Sequence, residues 1–272
     1  MRRKAAVAGH FYPAHATAIK RQIESLITET TPQREVMGAV APHAGYVYSG
    51  PVAVKVYQRI KAAQTILLLG PNHGAGMDMA APPKAAIMAQ GTWDMPNGEA
   101  DINLALSSLL MNETDLLEDA PWAHEWEHSL EVQVPFLQYF NGDIQIVPII
   151  IWNLADEEIT SLAAALARGL KKYGRPVTVI ASTDFSHYIP HELAKLKDAM
   201  AIEKIIALDG MGLVEVVRRE RISMCGYLAT AVVIETLKAL GATKAELVDY
   251  KTSGDVSGDY ASVVGYGGLV IS

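Results

Sequence analysis

Three histidines follow aliphatic segments, each near the point where a β-strand is expected to end. His43 follows Ala-Val-Ala-Pro, His73 follows Leu-Leu-Leu-Gly-Pro-Asn, and His187 follows Val-Ile-Ala-Ser-Thr-Asp-Phe-Ser. Open α/β sheets bind ligands beyond the carboxyl ends of their strands, and neutral imidazole is the commonest metal ligand in proteins. The spacing therefore predicts a metal site at one edge of a sheet. A single loop histidine is more often a surface or capping group, so the prediction depends on all three.

Cys225 is the only cysteine, and it lies in Ser-Met-Cys-Gly-Tyr at the expected start of a helix. A helix N-terminus lowers the pKa of a thiol and favours the thiolate that binds metals. An apolar surrounding favours the opposite interpretation, a buried and inert small hydrophobic side chain. The residues alone leave both interpretations open. A single cysteine excludes an internal disulfide and is typical of a reducing cytoplasm, where we expect this protein to act.

The segment His124-Glu-Trp-Glu-His128 matches the HExxH pattern of zinc proteases. That chemistry needs both histidines on one face of a regular helix. Pro121 lies just before the motif, and the helical spacing of apolar residues begins only at Leu130, so we expect His124 to lie outside the helix. Glu127, His128 and Ser129 then cap the start of that helix, and His128 could still face the metal site.

Strands and helices alternate along much of the chain, which predicts how these residues are positioned. The expected strands are residues 37–41, 65–69, 144–152, 177–181, 246–250 and 262–271, and the expected helices are about 51–62, 156–173, 191–208, 212–220 and 225–240. Strands separated by helices imply crossover connections and a mostly parallel sheet that is covered on both faces. Residues 75–123 are the least regular and are expected to form an elaboration near the site.

The composition fits one α/β domain over residues 1–272. Half of the residues are hydrophobic, 19% are charged, and the formal net charge is -7. No apolar run approaches the roughly 18–20 residues that a membrane helix needs. Nucleic-acid binding needs a clustered basic patch, and the short basic runs here are typical of solvated helix faces. We therefore expect neither a membrane nor a nucleic acid as partner.

Seven motifs in the same order along nearly the whole chain make it resemble the Memo family, whose bacterial and archaeal members are often called AmmeMemoRadiSam system protein B. They are Ala-Val-Ala-Gly-His-Phe-Tyr-Pro (6–13), Ala-Pro-His-Ala-Gly-Tyr-Val-Tyr-Ser-Gly-Pro (41–51), Leu-Gly-Pro-Asn-His-Gly (69–74), Glu-His-Ser-Leu-Glu-Val-Gln-Val-Pro-Phe-Leu (127–137), Ser-Thr-Asp-Phe-Ser-His-Tyr (182–188), Cys-Gly (225–226) and Thr-Ser-Gly-Asp-Val-Ser-Gly-Asp (252–259). This family is similar in structure to class III extradiol dioxygenases, which cleave catechol rings with non-haem iron. The resemblance therefore implies a class III extradiol dioxygenase-like fold.

The resemblance also implies a set of site residues. The metal ligands would be His43, His73 and Cys225, where the dioxygenases use two histidines and a carboxylate. His187 would be the acid/base, and Asp184 would orient it. Fe(II) is the metal that the resemblance favours, and a thiolate ligand would also suit Cu or Zn. Because that thiolate can be oxidised and replaces a carboxylate, ring cleavage does not follow from the fold alone.

Several other polar and aromatic residues are candidates for the substrate site or for support of the ligands. For each of them ordinary packing is the alternative. They are His10, Tyr12, Tyr46, Tyr48, Trp93 and His128.

Two classes of function compete at this stage. The first is a non-haem iron or copper oxidoreductase that acts on a small aromatic or catechol-like substrate. The second is a non-catalytic binding protein that holds a peptide or a protein partner, including partners within the AmmeMemoRadiSam system. A zinc hydrolase based on the HExxH motif is the weakest alternative.

Overall fold

The computed structural model describes residues 1–74 and 82–272. Its strands are β1 (Arg2–Lys4), β2 (Arg34–Glu35), β3 (Gly38–Ala41), β4 (Ile60–Lys61), β5 (Thr65–Pro71), β6 (Ala85–Ile87), β7 (Thr92–Met95), β8 (Gly98–Ile102), β9 (Leu117–Asp119), β10 (Gln145–Ile151), β11 (Val177–Ser182), β12 (His187–Ile189), β13 (Ala245–Thr252) and β14 (Val263–Ile271). Its helices are α1 (Ala16–Leu26), α2 (Tyr46–Tyr57), α3 (Leu104–Met111), α4 (Pro121–His124), α5 (Val134–Asn141), α6 (Asp156–Tyr173), α7 (His191–Ile206), α8 (Gly210–Arg219), α9 (Tyr227–Ala239) and α10 (Gly254–Ser257), with a 3-10 turn at Glu131–Gln133.

A large mixed sheet runs through the described part of the chain. Its main path is β1-β7-β8-β10-β5-β11-β3-β14-β12, with β13 alongside β14 and β6 between β10 and β9. The central strands β10, β5, β11 and β3 are parallel to one another. Their carboxyl ends therefore meet at one edge, where the histidine spacing predicts the metal site.

Both faces of the sheet are buried under helices, which explains the uninterrupted aliphatic sequence of β5. Leu67 and Leu69 belong to one hydrophobic core, together with residues of α6, α8 and α9. Ile66 and Leu68 belong to a second core on the opposite face, together with residues of α1, α2 and α5. Successive residues of a strand point to opposite faces, so a strand that is covered on both sides has no polar positions. The protein is a single α/β domain.

Most of the expected elements are confirmed, and the expected start of α2 is wrong. Helix α2 begins at Tyr46, five residues before the expected start at about residue 51. Pro51 instead lies inside the helix. The described part of the irregular segment, from residue 82 on, contains four strands and two helices. These elements are short. In β7 and β8 buried and exposed residues alternate over only a few positions, which is too short a pattern to predict a strand from the sequence. Residues 75–81 lie outside the described residues.

The last two strands run antiparallel to their neighbours. β14 pairs antiparallel with β3 and with β13, so the sheet is mostly but not wholly parallel. No helix among the described residues has both the length and the apolar run that crossing a bilayer would require.

Candidate metal centre

His43 lies just beyond the end of β3 and is the most deeply buried histidine of the site. Its backbone N–H donates to Asp184 Oδ1 at 2.8 Å, and its Nδ1 is 2.9 Å from Ser182 Oγ, at the end of β11. Burial lowers the pKa of His43 well below its ordinary value, and the neighbouring His73 and His128 lower it further. The ring is therefore neutral, as a metal ligand must be.

Hydrogen bonding around Ser182 determines which nitrogen of His43 is free. The single hydroxyl proton of Ser182 is donated to the carbonyl of Ser129 at 2.6 Å, and Gln133 Nε2 donates to Ser182 Oγ at 2.7 Å. The hydroxyl oxygen can then only accept from His43, so Nδ1 carries the ring proton. The lone pair of His43 Nε2 is left for a ligand.

His73 follows β5 and is held by the carboxylate of Glu127. Its backbone N–H donates to Glu127 Oε2 at 2.6 Å, and its Nδ1 is 2.9 Å from Glu127 Oε1. Burial alone would raise the pKa of Glu127, but the hydrogen bond and charge of His73 lower it to about 2. Burial alone would lower the pKa of His73, and Glu127 raises it instead. An ionised carboxylate only accepts, so His73 Nε2 is the nitrogen left for a metal.

His128 completes a cluster of three imidazoles. One ring nitrogen each of His43, His73 and His128 lies within 4.8 Å of the other two, so the cluster could hold a metal ion. The rings of His73 and His128 stack at 4.4 Å between centroids. Burial lowers the pKa of His128. The side chains of His73 and His128 are 31% and 21% exposed, so the cluster is partly open to solvent.

Cys225 lies beside this cluster, two residues before the start of α9. Its Sγ is 3.3 Å from His43 Nε2 and accepts the backbone N–H of Asp184 at 3.3 Å. Gly226 makes this approach possible, because a Cβ there would meet the carbonyl oxygen of Ser182 at 2.5 Å. The sequence left open whether the helix N-terminus or an apolar surrounding determines the pKa of the thiol. Burial, together with the charge of Asp184, raises the pKa of Cys225 to about 12.

His187 is not part of the three-histidine cluster that the described residues form. It begins β12, and its Nδ1 is 2.7 Å from the carbonyl oxygen of Phe185 and 2.8 Å from that of Ser223. Carbonyl oxygens only accept, so Nδ1 carries the proton and Nε2 keeps its lone pair. His187 is therefore set up as a hydrogen-bond acceptor or base rather than as a donor from Nε2.

Asp184 supports His43 rather than His187, which corrects the expected contact. Its carboxylate accepts the backbone N–H of His43, and the Nδ1 of His187 is taken by the two carbonyls. Burial raises the pKa of Asp184 to about 6, against the lowering effect of the His43 N–H. The carboxylate also lies 4.0 Å from His43 Nε2, close to the position that a metal would take.

Three of the expected lining residues pack in the protein core instead. They are Tyr12, whose hydroxyl donates to Glu131 at 2.6 Å, Tyr46, whose hydroxyl donates to the carbonyl of Val132 at 2.9 Å, and Trp93, which is covered by Arg3. Each is at most 3% exposed. Burial of a large aromatic side chain is favourable when its polar group finds a hydrogen-bond partner in the core. Tyr48 and His10 are exposed.

The HExxH motif does not form a zincin helix. His124 is the last residue of the short helix α4 and is buried near Trp93, with ring centroids 6.2 Å apart. The chain then leaves the helix, so His128 joins the cluster and His124 does not. Two supporting residues were missed from sequence, Glu127 as the partner of His73 and Phe11, whose ring lies 4.7 Å from that of His128. Both lie in the quoted motifs, which was the available signal.

Known proteins resemble this chain over almost its whole length. A sequence model of the family described as "Memo-like protein" matches residues 3–270. Proteins named "MEMO1 family protein" from Pyrobaculum arsenaticum and Methanopyrus kandleri are each 40% identical to it, covering 98% and 99% of both chains respectively. A protein of the same name from Methanosarcina barkeri is 38% identical, with 99% of each chain covered.

Proposed function

The chain belongs to the Memo family, and from this premise we propose that it is a metal-dependent oxidoreductase acting on a small aromatic or catechol-like substrate, with dioxygenase-like chemistry. The observation that supports it most directly is the orientation of the ligands. Ser182 Oγ engages the Nδ1 of His43, and Glu127 Oε1 engages the Nδ1 of His73. The Nε2 lone pairs of both histidines are thereby left for one ion, beside His128 and Cys225.

The donor set fits a mononuclear metal. Two ligands of one tetrahedral ion, a thiolate at about 2.3 Å and an imidazole at about 2.1 Å, lie about 3.6 Å apart. Cys225 Sγ and His43 Nε2 are 3.3 Å apart, close to that value. A bound metal would also deprotonate the thiol, since metal ligation requires the thiolate and overcomes the raised pKa.

We propose Fe(II) as the native metal, held by His43 and His73 with Cys225 as the third ligand. His128 is the competing third ligand because its ring nitrogen lies in the same cluster. A thiolate ligand would also accept Cu or Zn. Fe(II) bound by three protein ligands supplies open positions for a substrate oxygen and dioxygen.

His187 is the proposed proton acceptor. Its Nδ1–H is held by two carbonyl oxygens, so Nε2 can take a proton from a substrate hydroxyl without a change of tautomer. Such proton transfer typically contributes roughly 10²–10⁴-fold in rate. Asp184 fixes His43 from the backbone side and thereby keeps the ligand in place.

Metal analysis of anaerobically prepared protein tests the ligand set. We expect about one metal ion per wild-type chain. Cys225→Ser should lose roughly 10–100-fold or more in metal affinity, because loss of a residue that only supports a ligand already costs about that much and loss of the ligand itself should cost more. His128→Gln should lose less. The reverse order of the two variants would make His128 the third ligand and remove Cys225 from the set.

Oxygen consumption with catechols tests the reaction itself. Iron-loaded wild type should consume oxygen, and His187→Gln should keep its iron but lose about 10²-fold or more of the rate. Iron-loaded protein that consumes no oxygen with catechols would contradict the oxidoreductase proposal, whichever ligands hold the metal.

A further inference from the structure

The backbone around His187 is held by hydrogen bonds on both sides. The N–H of Phe185 donates to the carbonyl of Gly265 at 2.8 Å, and the N–H of Gly265 donates to the carbonyl of Ser186 at 2.8 Å. The N–H of His187 donates to Ser223 Oγ at 2.7 Å. The chain segment that carries the ring is therefore clamped between β14 and the residues before α9.

Asp198 on α7 makes further hydrogen bonds to this segment, through Ser186. Its side chain is wholly buried. Oδ1 accepts both the backbone N–H of Ser186 at 3.0 Å and the hydroxyl of Ser186 at 2.6 Å. Oδ2 accepts the hydroxyl of Tyr250, on β13, at 2.6 Å. Gly265 lets the carboxylate come this close, because a Cβ at that position would collide with Asp198.

The backbone of Tyr188, the residue after His187, has a strained conformation that its surroundings must stabilise. Tyr188 has a φ of 58° and is 78% exposed. A non-glycine residue in this left-handed region costs free energy and persists only where its surroundings determine the conformation. The hydrogen bonds of residues 185–187 fix its conformation on one side, and the pairing of Ile189 with Val263 of β14 fixes it on the other.

We infer that Asp198 is a positioning residue for His187, acting through Ser186. By fixing Ser186 it fixes the preceding carbonyl, that of Phe185, which keeps the ring proton of His187 on Nδ1. The lone pair of Nε2 is then always presented in the same direction. The inference rests on the proposed role of His187 as proton acceptor.

A general structural role would distribute the contacts of Asp198 differently. Two of its three hydrogen bonds end on Ser186, the residue next to His187, and only one ends on β13. A carboxylate that merely anchors α7 to the sheet would stabilise the fold without affecting the tautomer of a ring further along the chain. The tautomer of His187 is therefore the quantity that separates the two roles.

Nitrogen NMR of the histidine rings measures that tautomer directly. The full-length protein is labelled with ¹⁵N-histidine and loaded with Zn²⁺, which is diamagnetic, and His187→Gln identifies the His187 signals. Wild type should show a protonated Nδ1 and a bare Nε2. Asp198→Ala should lower the ratio of the Nδ1–H to the Nε2–H tautomer at least about fivefold, which corresponds to the loss of one ordinary hydrogen bond. Asp198→Asn, which can still accept from Ser186, should retain most of the wild-type ratio.

Two further variants provide a matched comparison in case Asp198→Ala does not fold. Ser186→Ala and Tyr250→Phe each remove one hydroxyl that donates to Asp198 at 2.6 Å. We expect Ser186→Ala to lower the tautomer ratio and Tyr250→Phe to leave it within about twofold, although both lose one hydrogen bond of similar strength. An unchanged ratio in Asp198→Ala, or in Ser186→Ala if the former is unfolded, overturns the inference. The ratio is read without substrate or oxygen, so an inactive protein with the expected ratios would contradict the proposed function and leave this inference standing.

Discussion

At the scale of single residues, hydrogen bonding decides which nitrogen of each histidine can bind or react. Ser182, Glu127 and the Phe185 carbonyl each engage the Nδ1 of a different histidine. In every case the partner leaves Nε2 with its lone pair. A carboxylate, a hydroxyl and a carbonyl thus bring about the same result by different chemistry, because all three are positioned to accept a proton from Nδ1.

His124 gives a prediction about pH at this scale. Burial, reinforced by the charge of Arg3, lowers its pKa from 6.5 to about 3. In the unfolded chain the ring takes up a proton as the pH falls below about 6.5, whereas the folded protein stays neutral down to about pH 3. The unfolded state alone gains a proton in that window. The contribution of His124 to stability is therefore complete above pH 6.5 and is lost progressively towards pH 3.

The measurement is the free energy of unfolding by urea at pH 5.5 and 4.5. His124→Gln removes the titrating group, so its stability should fall less steeply than that of wild type, by about 1.4 kcal/mol per pH unit. Leu110→Ala, a buried and non-titrating substitution, should keep the wild-type slope at a lower stability. A wild-type slope in His124→Gln would show that His124 is protonated in the folded protein.

At the scale of elements, the site depends on one segment lying across the end of a strand. Residues 128–130 cross β5, where Ser129 Oγ donates to the carbonyl of Pro71 at 3.1 Å. Gly70 makes room for them, because a Cβ there would lie 2.7 Å from Leu130 Cδ2. This crossing places Glu127 and His128 beside His73.

Gly70→Ala tests this close approach. Overpacking of a buried contact costs about 1–3 kcal/mol, and the shift of residues 128–130 should also weaken Zn²⁺ binding. Urea unfolding and calorimetric titration with Zn²⁺ measure the two effects. Gly45→Ala is the control, since its Cβ would meet the Phe11 carbonyl oxygen at an ordinary 3.5 Å. If the two variants are equally stable and bind Zn²⁺ equally, the segment does not need the glycine.

At the scale of the whole molecule, the start of the chain is tied to the middle by a buried ion pair. Arg3 Nη1 lies 2.7 Å from Glu131 Oε2, and both side chains are at most 2% exposed. Arg3 also donates to the carbonyls of His124 and Glu127, and Glu131 accepts the backbone N–H groups of Ala6 and Val7. Strand β1 thereby braces the segment that supplies Glu127 and His128.

Arg3→Ala should cost about 3–5 kcal/mol of unfolding free energy, because it leaves the buried carboxylate of Glu131 without its counter-charge. The neighbouring Arg2 pairs with Glu99 at 2.5 Å, and the two side chains are 60% and 50% exposed. Arg2→Ala should therefore lower the unfolding free energy far less, because solvent screens an exposed ion pair. Similar losses in the two variants, measured by urea unfolding, would mean that the buried pair contributes no more than an exposed one.

Local patterns were enough to determine much of this protein. The aliphatic run at residues 65–69 predicted a strand buried on both faces, and the alternation of strands and helices predicted a mostly parallel sheet. His43 and His73 were placed at its carboxyl edge because each follows its strand closely in sequence. Features of this kind depend on neighbours along the chain, which the sequence displays directly.

Only the tertiary structure decided the rest of the site. His187 also follows a strand, yet His128 takes its place in the cluster because residues 128–130 cross β5, a contact between segments distant in sequence. The two interpretations of Cys225 that the sequence left open are also decided by packing, since burial and Asp184 raise the pKa of its thiol. Burial and long-range hydrogen bonds depend on how the elements pack, and no local spacing encodes them.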